Sequence, residues 1–136
     1  MKKQVVIVGG GRVGQHTAEG LAPARYRIAM VERDKEKCET LTHNGVSETI
    51  HGDGTEREVL EAAGIGEADI VAALTNDTTT NRTVAELAYE YNPEAKTLVR
   101  IAHDGQQDLG HLHFVDKLVY PAAAGARVAV ESITRA

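Results

Sequence analysis

The chain has no tryptophan, one phenylalanine, one cysteine and three prolines in 136 residues. With aromatics at only 4%, aliphatic side chains have to fill the interior. A single thiol, Cys38, cannot close an internal disulfide, which fits a reducing compartment and leads us to expect a cytoplasmic protein. Cations are also scarce: 15 Lys and Arg stand against 20 Asp and Glu, for a net charge of −5. No basic cluster offsets that deficit, so no nucleic-acid partner is expected. No apolar run approaches the ~20 residues of a bilayer-spanning helix. The opening Met1-Lys2-Lys3 leads into an apolar stretch too short for a signal peptide, and direct membrane insertion is not expected. The length suits one domain, residues 1–136, large enough for a sheet covered on both faces.

What the chain does have is alternation. Strand patterns fall at 4–8, 26–31, 46–50, 69–73, 97–102 and 116–120. The first, fourth and fifth are nearly continuous apolar runs, as in strands buried on both faces, and the more polar third suits an edge. Helix patterns lie between them at about 12–22, 35–43, 56–64, 78–91 and 105–113, with a last one at about 122–134. Asp34 is placed to cap the second helix. Thr55 with Glu58 forms a capping-box pattern for the third, and Gly64 stops it. Asp77 or Thr78 starts the long helix, which Pro93 ends. Strands separated by helices imply parallel right-handed crossovers. The predicted fold is α/β: a Rossmann-like, doubly wound, parallel six-stranded sheet of order 3-2-1-4-5-6.

The first strand pattern runs directly into Gly9-x-Gly11-x-x-Gly14. Gly9 permits a tight turn, Gly11 close approach of backbone to a phosphate, and Gly14 close packing of the next helix. The free N–H groups at that helix start would face the anion. Glu32 closes the second strand pattern, 18 positions beyond Gly14, where a carboxylate can accept from ribose hydroxyls. Arg12, inside the glycine loop, can reach over phosphates, most usefully a terminal one such as that of ATP. Arg33 beside Glu32 could attract a 2′-phosphate, but the acid favours NAD or an adenine nucleotide over NADP.

Loops after different strands converge in such a sheet. Asp53, in His51-Gly52-Asp53-Gly54-Thr55, serves either turn chemistry or adenosine contact. Thr75, Asn76 and Asp77 follow the fourth strand, with Asn81 beyond them. Arg100, a guanidinium within a buried strand, needs either a ligand or a structural acid as partner. The histidines, including His103 and His111-x-His113, have no metal-site spacing, and Cys38 reads as a half-buried structural thiol. No nucleophile elbow and no catalytic pair is present, so no enzymatic activity is expected.

Together these segments resemble the N-terminal nucleotide-binding lobe of the regulators of potassium transport, the Trk/Ktr regulatory subunits and the RCK domains of potassium channels. The resemblance rests on residues 6–14 with Arg12 and Val13, Val31-Glu32-Arg33-Asp34, Gly52-Asp53-Gly54-Thr55, residues 60–65 and 68–77, Asn81, Val99-Arg100-Ile101 and residues 117–121. It implies that Gly9, Gly10, Gly11, Arg12, Val13 and Gly14 cradle phosphates. Glu32 would hold ribose with Arg33 beside it, and Asp53 with Gly54 would flank adenine. Thr75, Asn76, Asp77 and Arg100 would close the far side. It implies NAD(H) or ATP/ADP as ligand, a homodimer or larger homo-oligomer, and a membrane potassium transporter as partner. Gly54 stands where alanine is commoner, residues 104–114 depart from the family pattern, and the family's C-terminal regulatory lobe is not expected within residues 1–136. The competing expectation is a cofactor domain of an NAD-dependent oxidoreductase; a weaker third is a nucleotide lobe serving another transporter or hydrolase.

Overall fold

Gln4–Val8 (β1) is the first strand made and the middle of the sheet. In the computed structural model, which describes residues 2–41, 45–102, 109 and 111–136, β1 pairs on one side with Arg27–Glu32 (β2) and on the other with Ile70–Ala73 (β4). Glu48–His51 (β3), Lys96–Arg100 (β5) and Lys117–Val119 (β6) complete an all-parallel sheet of order β3-β2-β1-β4-β5-β6. The predicted order holds. The register places Val8 opposite both Val31 and Ala73, so the C-terminal ends of β1, β2 and β4 lie side by side.

Side chains alternate across a strand, and β1 serves both layers. Val6 and Val8 join Val31, Leu60, Val84 and Ala88 under Arg57–Ala62 (α3) and Thr78–Tyr91 (α4). Val5 and Ile7 join Ile28, Met30, Ala18 and Leu41 under Arg12–Leu21 (α1), with Lys35–Thr40 (α2) beside it. Ile7, Ile28 and Met30 have no exposed surface. Burial of each contributes about 1.5–3 kcal/mol, which explains how a core nearly free of aromatics holds.

Two helix ends match their sequence signals. Asp34 Oδ1 accepts from Glu36 N at 2.9 Å, and Gly64 leaves α3 in the left-handed region at φ 89°. The expected capping box of the third helix is absent: Thr55 donates both N–H and Oγ1–H to Asp53 Oδ1 at 2.9 and 2.7 Å. That turn consumes the Thr55 hydroxyl, and α3 begins after Glu56 with no side-chain cap. Of the helix expected at 105–113, Leu109 and residues 111–113 are not helical, and the remainder lies outside the described residues. Pro121–Thr134 (α5) contributes no buried residue, so its apolar side chains do not pack on the sheet. Val128 is 62% and Ile133 73% exposed.

Candidate functional site

The turn after β1 is built so that only glycine fits at two positions. Gly9 has φ 113°, and a methyl group there would sit 2.8 Å from Thr75 N. A methyl at position 14 would overlap the Gly9 carbonyl oxygen. α1 therefore starts hard against the end of β1, beside the β4 tip. Its N-cap, Gly11, offers no side-chain acceptor, and no acid occupies the first turn. The leading N–H groups of α1 thus have no helical or capping partner and carry the positive end of the helix dipole.

Glu32 fixes this loop from the neighbouring strand. It is 8% exposed, and its two carboxylate oxygens accept from Gly10 N at 2.8 Å and Asp34 N at 2.7 Å. Gln15 Nε2 adds a bond to the Gly10 carbonyl at 2.8 Å. Glu32 is therefore a brace for the glycine loop as well as an acceptor at the strand tip. The β3 tip adds Asp53, whose carboxyl is held below the usual carboxylate range by the backbone and side-chain bonds from Thr55, with Arg33 assisting. His51 Nε2 lies 3.1 Å from the Arg33 carbonyl, fixing that backbone at the rim. Burial pushes the Cys38 thiol up, and the Glu32 and Asp34 carboxylates push it further. Its Sγ donates to the Glu32 carbonyl at 3.4 Å, so the residue is a structural thiol, as its sequence setting indicates.

On the far side, Asp77 caps α4 by accepting from Thr79 N at 3.0 Å and Thr80 N at 3.5 Å. Asn81, with no exposed surface, ties the β4 and β5 tips together. Its Oδ1 accepts from Thr75 N and Oγ1 at 3.0 and 2.6 Å. Its Nδ2 donates to the carbonyls of Thr75 and Arg100 at 3.0 and 2.9 Å. Asn81 was missing from the candidate site residues. The signal that finds it is periodicity: Thr78, Asn81, Val84, Ala85 and Ala88 form the buried face of α4, and an amide there must be fully bonded.

These tips enclose one cleft of about 750 Å³ at the C-terminal ends of the strands, within the range of small-molecule sites. Among the candidate residues, Gly9, Gly11, Arg12, Val13, Glu32, Arg33, Asp53, Gly54, Thr75, Asn76, Asp77 and Arg100 all line it. Gly10 and Gly14 do not; they shape the loop from behind. Asp34, Lys37 and Thr80 also line it. The electrostatics are asymmetric in availability. Glu32, Asp34, Asp53 and Asp77 each accept N–H bonds from their own chain. Among the described residues, Arg12, Arg33, Lys37 and Arg100 have no carboxylate within ion-pair distance, the pairs present being His16–Glu19 and Arg27–Glu48. Of the two partners sequence allows for Arg100, the structural acid is not found among these residues. The described residues hold no cluster of potential metal ligands, and none of their helices is long and apolar enough to cross a membrane.

A glycine turn and a bare helix start at the switch point of a 3-2-1-4-5-6 parallel sheet define a Rossmann-type fold. The chain belongs to the TrkA-N family, whose domain pattern matches residues 5–121. It is 32% identical over 105 residues to the Trk system potassium uptake protein TrkA homolog of Pyrococcus abyssi, covering 77% of this chain and 46% of that protein. It is 33% identical over 97 residues to the glutathione-regulated potassium-efflux system protein KefC of an Enterobacter species, covering 71% of this chain and 16% of that one. The chain thus spans less than half the length of these relatives. Among solved structures, the TrkA-N domain of the Escherichia coli inner membrane protein YbaL superposes with a TM-score of 0.79 at 18% identity, covering 96% of each chain. The AMP-bound Kef C-terminal domain of Shewanella denitrificans gives 0.78 at 22% identity, covering 97% of this chain and 80% of that one. The NAD-bound GsuK channel gives 0.73 at 14%, covering 88% and 21%; ADP-bound GsuK gives 0.78 at 23%, covering 93% and 32%.

Proposed function

We propose that this chain is the nucleotide-sensing module of a Trk- or Ktr-type potassium transport system. It takes NAD(H) or ATP/ADP into the cleft at the switch point. The observation carrying the reading is the uncapped start of α1 beside Gly9, facing a cleft whose four cations have no ion-pair partner among the described residues. Bare N–H groups and free guanidinium groups are what a phosphorylated ligand supplies with charge. Glu32 and Asp53 stand on the adenosine side, and Thr75 to Asp77 with Arg100 on the distal side. The relatives and the ligand-bound neighbours support the same assignment.

The module acts by geometry and not by catalysis. Each acid lining the cleft is already engaged by N–H groups of the chain, which favours a binding role over proton transfer. Ligand state is passed on through paired copies, to which the exposed apolar residues of α5 are suited. The partner is a membrane potassium transporter, and the site of action is its cytoplasmic face. Isothermal titration with NAD⁺, NADH, ATP, ADP and AMP tests the reading: saturable one-to-one binding of at least one is expected. No heat and no thermal stabilisation with any of the five would overturn it. Light scattering with and without the best ligand tests the pairing, and a monomer in both cases would refute it.

A further inference from the structure

We propose that Arg100 reads the charge of the ligand's distal group, so that the cleft favours nucleotides ending in a terminal phosphate beyond the α-position. This rests on the nucleotide reading above and assigns one residue the discrimination within it. Arg100 ends β5, while Glu32 ends β2, and β1 and β4 lie between them. Three strand spacings of about 4.8 Å separate the two tips by roughly 14 Å. A ligand with its ribose near Glu32 and its α-phosphate at the α1 start reaches Arg100 only through further groups.

The guanidinium is poorly satisfied where it stands. Among the described residues its buried Nε has no hydrogen-bond partner, and its guanidinium donates from NH1 to the Leu74 carbonyl at 3.3 Å. Its carboxylate neighbour across the cleft, Asp77, is turned to the first N–H groups of α4. A partly buried cation with no counterion among the described residues is costly, and an arriving phosphate oxygen removes that cost. The residue is also held in place: Asn81 grips its carbonyl, and Ala102 N donates to Thr78 Oγ1 at 2.9 Å just beyond. A guanidinium carried on a held strand end, with no acid beside it among the described residues, favours an anion. The terminal phosphate of ADP or ATP brings more negative charge to that position than the esterified, singly ionised second phosphate of NAD⁺, beyond which lies only a nicotinamide riboside.

The test is titration of the whole chain and of Arg100→Gln with AMP, ADP, ATP and NAD⁺ in metal-free buffer. The wild type is expected to bind ADP or ATP about tenfold or more tighter than AMP, the scale of one charge-assisted contact. Arg100→Gln is expected to leave AMP within about twofold and to cancel that advantage. Equal losses for AMP and ATP would show a structural role and overturn the assignment. An intact advantage would move the discrimination to Arg12 and also overturn it. Should the glutamine variant fail to fold, Arg100→Lys decides: a reduced ATP advantage with unchanged AMP binding supports the proposal, and an unchanged advantage refutes it. A wild type that binds none of the four fails at the earlier step, the nucleotide reading itself.

Discussion

Helices α1 and α4 both begin at the cleft, one after β1 and the other after β4, yet their first turns are finished differently. α4 carries its own anion: Asp77 accepts from Thr79 N and Thr80 N. α1 has glycine at the equivalent place and no acid in its first turn. A bare helix start leaves N–H groups unsatisfied, and an aspartate cap is worth about 1 kcal/mol over alanine. Glycine is itself a tolerated cap, so at α1 the chain forgoes roughly a few tenths of a kcal/mol, while at α4 it takes the aspartate cap. Under the proposed function, that difference leaves α1 as the helix start open to an outside anion.

The comparison breaks most severely when the brace of the bare helix start is removed. Glu32→Ala strips the acceptor from Gly10 N, whose bond is buried, and from Asp34 N, whose bond is part-buried, at a cost of about 2–3 kcal/mol in urea unfolding. Affinity for every adenosine ligand is expected to fall with it, measured by titration well below the unfolding midpoint. Wild-type stability and affinity in this variant would make Glu32 an ordinary solvated strand end.

Gly11→Asp makes α1 resemble α4. Position 11 has φ −78° and ψ −164°, and nothing lies within 4 Å of a side chain built there. The new carboxylate caps the helix and gains a few tenths of a kcal/mol over glycine. It also occupies the anion position, so nucleotide affinity should drop about ten- to a hundredfold. Stability that holds while binding collapses is the expected signature; unchanged binding would show that phosphate does not sit at α1.

Asp77→Ala performs the converse change. The cap is lost, thermal or urea unfolding should show about 1 kcal/mol of destabilisation, and AMP affinity should stay within about twofold. A large loss of AMP binding would place the phosphate at α4 instead.

The smallest effect concerns the turn at β3. The Asp53 carboxyl is held below its ordinary range in the folded chain, so the charged form is favoured by folding. That contribution is fully present above the usual aspartate range and is lost as pH falls through the lowered folded value. Unfolding free energy measured against pH should therefore exceed that of Asp53→Asn at neutral pH, with the gap closing in acid. A constant gap would assign the Asp53 contribution to packing alone.

How much of this was legible in the sequence varies with the physics of each part. β1 and β4 are apolar runs whose burial follows from composition, and the glycine motif announces its own turn. The cap of α2 is local, and Asp34 performs it as its position indicates. Thr55 misleads because two capping residues, Asp53 and Thr55, lie two apart and satisfy each other first. Which competitor takes a hydroxyl depends on turn geometry that residue type does not encode. Arg100 was visible as an anomaly in a strand, but the absence of an acid beside it among the described residues is a tertiary fact. α5 shows the remaining gap: its helix pattern reads the same whether its apolar side chains meet a sheet or solvent.

The position of β1 in the sheet also has a cost in time. It is synthesised first, yet one of its two edges waits for Ile70–Ala73. β2 and β3 are complete at His51, 22 residues before Ala73. At about 5–20 residues per second, translation leaves that edge open for roughly one to four seconds. Four of the five β1 residues are buried in the finished sheet, and no charge interrupts them. An apolar, unpaired strand edge is the feature that recruits wrong partners. The nascent chain is thus most vulnerable to misassembly during the making of α3, before β4 emerges.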